Sequence, residues 1–339
     1  MVVLAPDTKP LPPVERVRPG LWSVPVPLPI PLRYVFVYVF ETDRGPYLVD
    51  AGWNTDDAYD GLCSGLEEAG TSISDVQGVM VTHIHPDHYG LAGRVREASG
   101  AWIALHPSDT ELIHDRYTDP THLLERMGQM LQMFGAPPEE LEELRNASMP
   151  VRPFVDSVQP DVLMEDGDRP DIPGWDVTAI WTPGHSPGHL CFWEAGNRLM
   201  LTGDCVLPRI TPNVAYHAQS EDDPLGDYLR SLEQLARYDA DEDLPAHEHR
   251  FAGRHRDRLL ELRAHHEQRF LEVIAAIRAG HDTIWDIAPH MDWSRPWEQV
   301  VGFVRRQAVG EAAAHVRALE VRGTIRRIPG ELARWELAD

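Results

Sequence analysis

The chain has 339 residues and a formal charge of -23, with 54 acidic residues against 31 basic ones, all but Lys9 of the latter being arginine. The imbalance is local: residues 1–252 hold 41 of the acids and 17 of the bases, a net of -24, whereas residues 253–339 hold 13 and 14, a net of +1. A field of that sign disfavours a polyanion or an anionic membrane surface against the first three quarters of the chain. At 42% hydrophobic and 25% charged, the composition is that of an ordinary water-soluble domain. No apolar run approaches the ~18–20 residues of a membrane span, and the proline-rich Met1–Gly20 lacks the apolar centre of an export signal. Three cysteines, Cys63, Cys191 and Cys205, make neither an even framework nor a C-x-x-C pair, so a reducing cytoplasm is expected.

Val24 to Pro31 alternates with proline and predicts an edge strand or a loop. Tyr34–Phe40 and Tyr47–Asp50 are β-branched and aromatic and predict strands, joined through Asp43-Arg44-Gly45-Pro46. Asp57–Ala69 predicts a helix closed by Gly70, Gln77–Thr82 a short strand, Leu91–Ala98 a helix ending at Gly100, and Trp102–Leu105 the next strand. This alternation indicates an α/β fold. Residues 107–150 break it: Leu123, Leu124, Met127, Met130, Leu131 and Phe134 at helical spacing, then Pro137-Pro138 and a Glu-rich helix, mark a helical insertion. A methionine-rich stripe reads first as core, and the insertion's place between strands suggests a lid. Strands resume over Gly174–Thr182, Leu190–Trp193 and Arg198–Thr202.

A boundary is expected near Phe251–Gly253, dividing residues 1–252 from residues 253–339. Beyond it Leu259, Leu262, His266, Phe270, Val273, Ile274 and Ile277 mark an amphipathic helix. Two more helices are predicted around Trp297–Gln307 and Glu311–Leu319, then a hairpin over Gly323–Trp335 turning at Pro329-Gly330, the outline of a winged helix.

The segment Thr82-His83-Ile84-His85-Pro86-Asp87-His88 places four metal-ligand side chains within six residues after a strand. With 17 His and 29 Asp in the chain, H-x-H-x-D-H arises by chance in roughly four sequences per thousand, so the motif is informative alone. Imidazoles and a carboxylate at this spacing suit Zn²⁺ or another first-row divalent ion. Further ligand types follow later strands: His185 in Thr182-Pro183-Gly184-His185-Ser186-Pro187-Gly188-His189, Asp204 in Gly203-Asp204, and His247 in Pro245-Ala246-His247-Glu248-His249.

This ordered set, with the earlier Leu48-Val49-Asp50-Ala51-Gly52, resembles the metallo-β-lactamase superfamily over about residues 20–250. The resemblance implies an αββα sandwich with a dinuclear site at one edge. It implies His83, His85 and His185 on one ion, Asp87, His88 and His247 on the other, Asp204 bridging, and Asp50 bracing the ligand loops. The implied cofactor is two Zn²⁺, with iron or manganese as substitutes. The implied activity is hydrolysis by a hydroxide that the metal makes available at neutral pH, with Asp87 and Asp204 as the catalytic carboxylates. The tail resembles the winged-helix-like extension of one branch of the superfamily.

His189 and His249 read as bracing or exposed residues, His249 being the reserve for His247. Cys205 reads as a non-ligand and His265-His266 as a helix-surface pair. The expected substrate is a small acyl compound, a thioester before a lactone or other ester, with Arg209, Tyr216 and His217 as contact candidates. The alternatives are a β-lactam hydrolase and an endoribonuclease or phosphodiesterase. The latter would use Arg305, Arg306, Arg317, Arg322, Arg326, Arg327 and Arg334 of the tail, but the near-neutral tail and acidic body count against nucleic acid. A tail that serves dimerisation instead makes a homodimer the expected self-association.

Overall fold

Both faces of the strand Tyr34–Phe40 are apolar, and the fold buries both. The computed structural model describes residues 10–338. Its first sheet runs in chain order: β1 (Glu15–Arg18), β2 (Leu21–Pro27), β3 (Tyr34–Phe40), β4 (Tyr47–Val49), β5 (Gly78–Met80), β6 (Trp102–Leu105) and β7 (Val162–Leu163). The pairs from β1 to β4 are antiparallel and those from β4 to β7 parallel. Parallel neighbours need crossovers. Helix α1 (Asp56–Glu68) joins β4 to β5, and α2 (Pro86–Tyr89) with α3 (Ala92–Ser99) joins β5 to β6. The insertion, α4 (Pro107–Thr110), α5 (Thr121–Met133) and α6 (Pro138–Asn146), leads to β7.

The second sheet holds β8 (Val177–Trp181), β9 (Leu190–Glu194), β10 (Leu199–Gly203), β11 (Glu242–Pro245) and β12 (Phe251–Ala252), with α7 (Pro224–Leu235) crossing between the parallel β10 and β11. The C-terminal part contributes α8 (His255–Arg278), α9 (Ile284–Ile287), α10 (Gly302–Val321) and the hairpin β13 (Ile325–Ile328)–β14 (Arg334–Leu337).

Strand alternation sorts the side chains into three layers. Phe36, Tyr38 and Phe40 meet Ala179, Phe192 and Leu201 between the sheets. Val35, Val37 and Val39 face Leu62 and Leu66 of α1 and Val95 of α3. On the far side of the second sheet, Ile180, Cys191 and Met200 lie under Leu232 of α7, Leu262 of α8 and Val316 of α10. Each fully buried Leu, Val or Phe contributes ~1.5–3 kcal/mol, and the order of layers is helix, sheet, sheet, helix: the expected αββα sandwich. The stripe Leu123, Met127, Leu131 and Phe134 of the insertion belongs to that third layer. Backbone bonds from Trp285 to Phe134 and from Ala333 to Met133, and both Glu140 carboxylate oxygens on Arg305 at 2.9 Å, fasten it to the C-terminal segment.

The proline-bearing half of β2 is an edge, as expected: Val24–Pro27 pairs with β3 alone, because β1 reaches only Leu21–Ser23. Two expectations need correction. The two helices predicted around Trp297–Gln307 and Glu311–Leu319 are one, α10. Gly310 does not break it but lets the loop before α7 approach: a Cβ there would meet the Ala215 Cβ at 2.9 Å, and the Gly310 carbonyl accepts from Tyr216 N–H at 2.9 Å. Finally, His266 is 1% exposed, not a surface residue. Among the described residues no helix is long and apolar enough to cross a membrane.

Candidate metal centre

The short strand β5 delivers Thr82 and His83 to one end of the sandwich. Pro86 then starts α2 where its missing N–H costs nothing, and this turn places His85, Asp87 and His88 around one point. The Nδ1 of His85 lies 2.9 Å from His83 Nε2 and 3.0 Å from His185 Nε2. The Nε2 of His247 lies 3.3 Å from both Asp87 Oδ2 and Asp204 Oδ1, while Asp204 Oδ2 is 3.6 Å from His88 Nε2 and from His185 Nε2. Asp204 therefore sits between the two histidine sets, Oδ1 toward His247 and Oδ2 midway between His88 and His185. Three overlapping groups could each hold an ion: His83, His85 and His185; His83, His88 and Asp204; Asp87, His88 and His247.

The other ring nitrogens are engaged, which orients each imidazole. His185 Nδ1–H donates to the Asn213 carbonyl at 2.8 Å, His247 Nδ1–H to the Tyr34 carbonyl at 3.0 Å, and His88 Nδ1–H to Asp50 Oδ2 at 2.8 Å. What remains is diagnostic: His88 Nε2, His247 Nε2 and Asp204 Oδ1 are buried polar atoms that make no hydrogen bond, although they stand within 3.3–3.7 Å of facing charged groups. Buried polar groups are normally satisfied, and three converging orphans fit a cation.

Electrostatics divides the site. Burial, then neighbouring histidines, hold the pKa of His83 and His85 well below the ordinary imidazole value, and burial lowers His185. These are neutral rings with available lone pairs. Burial opposes charge on His88 and His247 too, but carboxylates outweigh it: Asp50, Asp87 and Asp204 raise His88, and Asp204 and Asp87 raise His247 to about 10. In return, despite burial, the imidazoles hold Asp87 low and Asp204 well below its usual range.

Asp50 braces the loop: its Oδ1 accepts from Thr82 N–H at 2.8 Å and its Oδ2 from the Thr82 hydroxyl at 3.1 Å. A second brace was missed in the sequence. Asp109, fully buried in α4, accepts from Ile84 N–H at 2.9 Å, the Ser186 hydroxyl at 2.8 Å and Gly188 N–H at 2.8 Å, stitching the two histidine loops together. The approach requires glycine, since a Cβ at position 188 would stand 2.8 Å from the Asp109 side chain. The available signal was position: Asp109 follows the end of β6, as Asp204 follows β10. His189, read as bracing or exposed, is fully buried and accepts from Asp204 N–H at 3.1 Å. Arg258 of α8 binds the carbonyls of Leu207, Arg209 and Ile210, so the C-terminal part holds a loop beside Asp204.

His249 is exposed and joins none of the three groups; Cys205 lies in the apolar third layer. Of the substrate-contact candidates, Arg209 is solvent-facing and paired with Glu248 at 3.0 Å, and Tyr216 packs toward Phe134 in the apolar layer. Only His217 shares a cleft with a candidate ligand, His185.

The model of the metallo-β-lactamase superfamily matches residues 30–247. The chain is 27% identical over 219 residues to the probable metallo-hydrolase YqjP of Bacillus subtilis, covering 59% of this chain and 63% of that protein. It thus spans less than two thirds of the length of the first curated relatives it matches. Among solved structures, the metallo-β-lactamase family protein TTHA1429 of Thermus thermophilus superposes with a TM-score of 0.81 at 31% identity, covering 95% of this chain and all of that one. A β-lactamase domain protein from Burkholderia ambifaria gives 0.76 at 25% identity, with 98% of each chain covered. With the matched region enclosing all seven candidate ligands, the chain belongs to the metallo-β-lactamase superfamily.

Proposed function

We propose that the protein is a dinuclear, zinc-dependent hydrolase of a small acyl compound, with a thioester preferred over a lactone or other ester. The observation that carries this reading is Asp204, whose carboxylate lies 3.3 Å from His247 Nε2 and 3.6 Å from both His88 Nε2 and His185 Nε2, so that it reaches both histidine sets. Metal held there supplies hydroxide near neutral pH and positive charge for a developing oxyanion. The residues of this chain do the rest. His83, His85 and His185 would hold one ion, and Asp87, His88 and His247 the other, with Asp204 placed to serve both; Asp50 and Asp109 keep the loops in register. Asp87, 3.3 Å from His247 Nε2 at the mouth of the second set, orients the nucleophile and returns a proton to the leaving group.

A small substrate is favoured over RNA by the tail itself. Arg305, Arg317, Arg322 and Arg334 are ion-paired with Glu140, Asp222, Glu267 and Asp282, so these guanidiniums are committed within the fold. We place the protein in the cytoplasm, where Cys63, Cys191 and Cys205, all free, remain thiols. The test combines metal analysis with a panel of acyl-CoA, lactone, β-lactam and RNA substrates on the zinc-loaded protein. Two zinc ions per chain and acyl-thioester turnover are expected. RNA cleavage without acyl hydrolysis would overturn the substrate class, and the absence of any bound transition metal would overturn the centre.

A further inference from the structure

Beside the His85–His185 half of the centre, the chain gathers hydrogen-bond donors, two of them guanidiniums without an ion pair, although Glu221 and Asp227 line the cleft that His217 shares with His185. Arg116, in the insertion between α4 and α5, donates through Nε to Gln219 Oε1 at 3.1 Å. The amide nitrogen of Gln219 is buried with no partner. Arg306 of α10 has one polar contact, to the Ser148 hydroxyl at 3.0 Å, and stacks over Phe303. His217 accepts Gln219 N–H on its Nδ1 at 3.1 Å, so its neutral ring carries the proton on Nε2, in the cleft it shares with His185. Among the described residues, neither guanidinium has a carboxylate within ion-pair reach, although other arginines of α10, such as Arg305, do.

Both guanidiniums are half-buried, and a partly desolvated charge without a counterion is unfavourable unless something else completes it. The electrostatics agree with the geometry. Burial and the neighbouring charge of Arg116 bring Arg306 down to about 10; burial, then Arg116 and Arg306, bring His217 to about 3. The charge of Arg116 also reaches His85. The four donors come from three separate segments: the insertion, the loop after β10 and α10. Their convergence is therefore a product of the tertiary fold.

We propose that Arg116, His217, Gln219 and Arg306 form a subsite for an oxyanion, carboxylate or phosphate, carried by the substrate away from its scissile bond. Arg116 and Arg306 provide the charge-assisted bonds, which planar guanidiniums make in bidentate form; Gln219 and His217 add neutral donors. The proposal rests on the hydrolase reading of the adjacent centre and narrows its substrate to an anionic acyl compound.

The test uses zinc-loaded protein and three thioesters: neutral butyryl-N-acetylcysteamine, succinyl-N-acetylcysteamine with the carboxylate on the acyl side, and butyryl-phosphopantetheine with a phosphate on the thiol side. Arg116→Met and Arg306→Met are each expected to raise KM at least tenfold, ~1.4 kcal/mol, for whichever anionic compound is used. They should leave kcat and the neutral compound within twofold, and Arg306→Lys should recover part of the loss. The anionic compound affected identifies the source of the oxyanion. Equal effects on all three thioesters would refute the subsite. Calorimetric titration with inorganic phosphate and with succinate provides a readout independent of turnover. Should no thioester be hydrolysed, the hydrolase reading fails separately, while at least tenfold weaker binding of either anion by both variants still supports the subsite. Binding unchanged by the substitutions sinks it, and a circular-dichroism melt confirms that each variant is folded.

Discussion

Among the places where this molecule buries histidines, two clusters do opposite things with them. In the C-terminal layer, His315 Nδ1–H donates to the Glu311 carbonyl at 2.8 Å and its Nε2 lies 3.1 Å from His266 Nδ1. Both rings are forced neutral, by burial first, with His315 brought to about 3. One polar atom there, His266 Nε2, has no partner, and among the described residues no group able to hold a metal includes either ring. At the end of the sandwich, burial is equally complete, but Asp50, Asp87 and Asp204 converge on His88 and His247 and favour positive charge there, which a bound cation would supply in place of the ring protons. Burial alone makes a neutral histidine that packs. A ligand set needs several unpaired lone pairs aimed at one point, with carboxylates to offset the charge of the ion.

The largest expected effect comes from removing the residue that joins the two halves of the centre. Asp204→Ala should lower zinc below two ions per chain and kcat/KM by ~1000-fold or more, about 4 kcal/mol. Full zinc content and near-native turnover in that variant would show that the two histidine sets do not share Asp204. Asp109→Ala comes next. It leaves Ile84 N–H, Ser186 Oγ–H and Gly188 N–H buried without their acceptor. We expect about 2–4 kcal/mol lower stability in a denaturant titration and roughly 10–100-fold weaker zinc binding. If stability falls and zinc affinity does not, Asp109 is a scaffold residue with no influence on the ligands.

The smallest effect tests the other histidine pair. An ordinary imidazole near 6.5 in the unfolded chain and about 3 in the fold means that the unfolded state binds the extra proton between those values. Stability is therefore full above about pH 6.5 and is lost as pH falls toward 3, at up to about 1.4 kcal/mol per pH unit for this group. His315→Leu should flatten the slope of unfolding free energy between pH 7 and 5 relative to the native chain. Equal slopes would remove the distinction drawn between the two buried histidine sites.

The ligand segment was legible because a loop immediately after a strand places i and i+2 side chains by local geometry, and His83-x-His85-x-Asp87-His88 is too dense for chance. The strands were legible for a similar reason: Trp102–Leu105 is apolar and bounded by turn residues, and it occupies the predicted span. The failures were all questions of what lies opposite. The stretches Trp297–Gln307 and Glu311–Leu319 read as two helices until Gly310 is seen inside α10 with Ala215 against it. His266 reads as surface until α10 brings His315 over it.

Composition and local spacing in the sequence alone determined the acidic body, the α/β alternation and the dense segment His83–His88. The αββα fold and the full set of seven residues came from the resemblance to the superfamily, carried by motifs spread from Asp50 to His247. Tertiary structure alone decided that Asp109 ties two histidine loops together, that the insertion and the C-terminal helices share one apolar layer, and that Arg116 and Arg306 have no ion-paired carboxylate among the described residues. Those facts depend on which distant segments meet, and buried neighbours, not chain spacing, set whether a charge or a donor is satisfied.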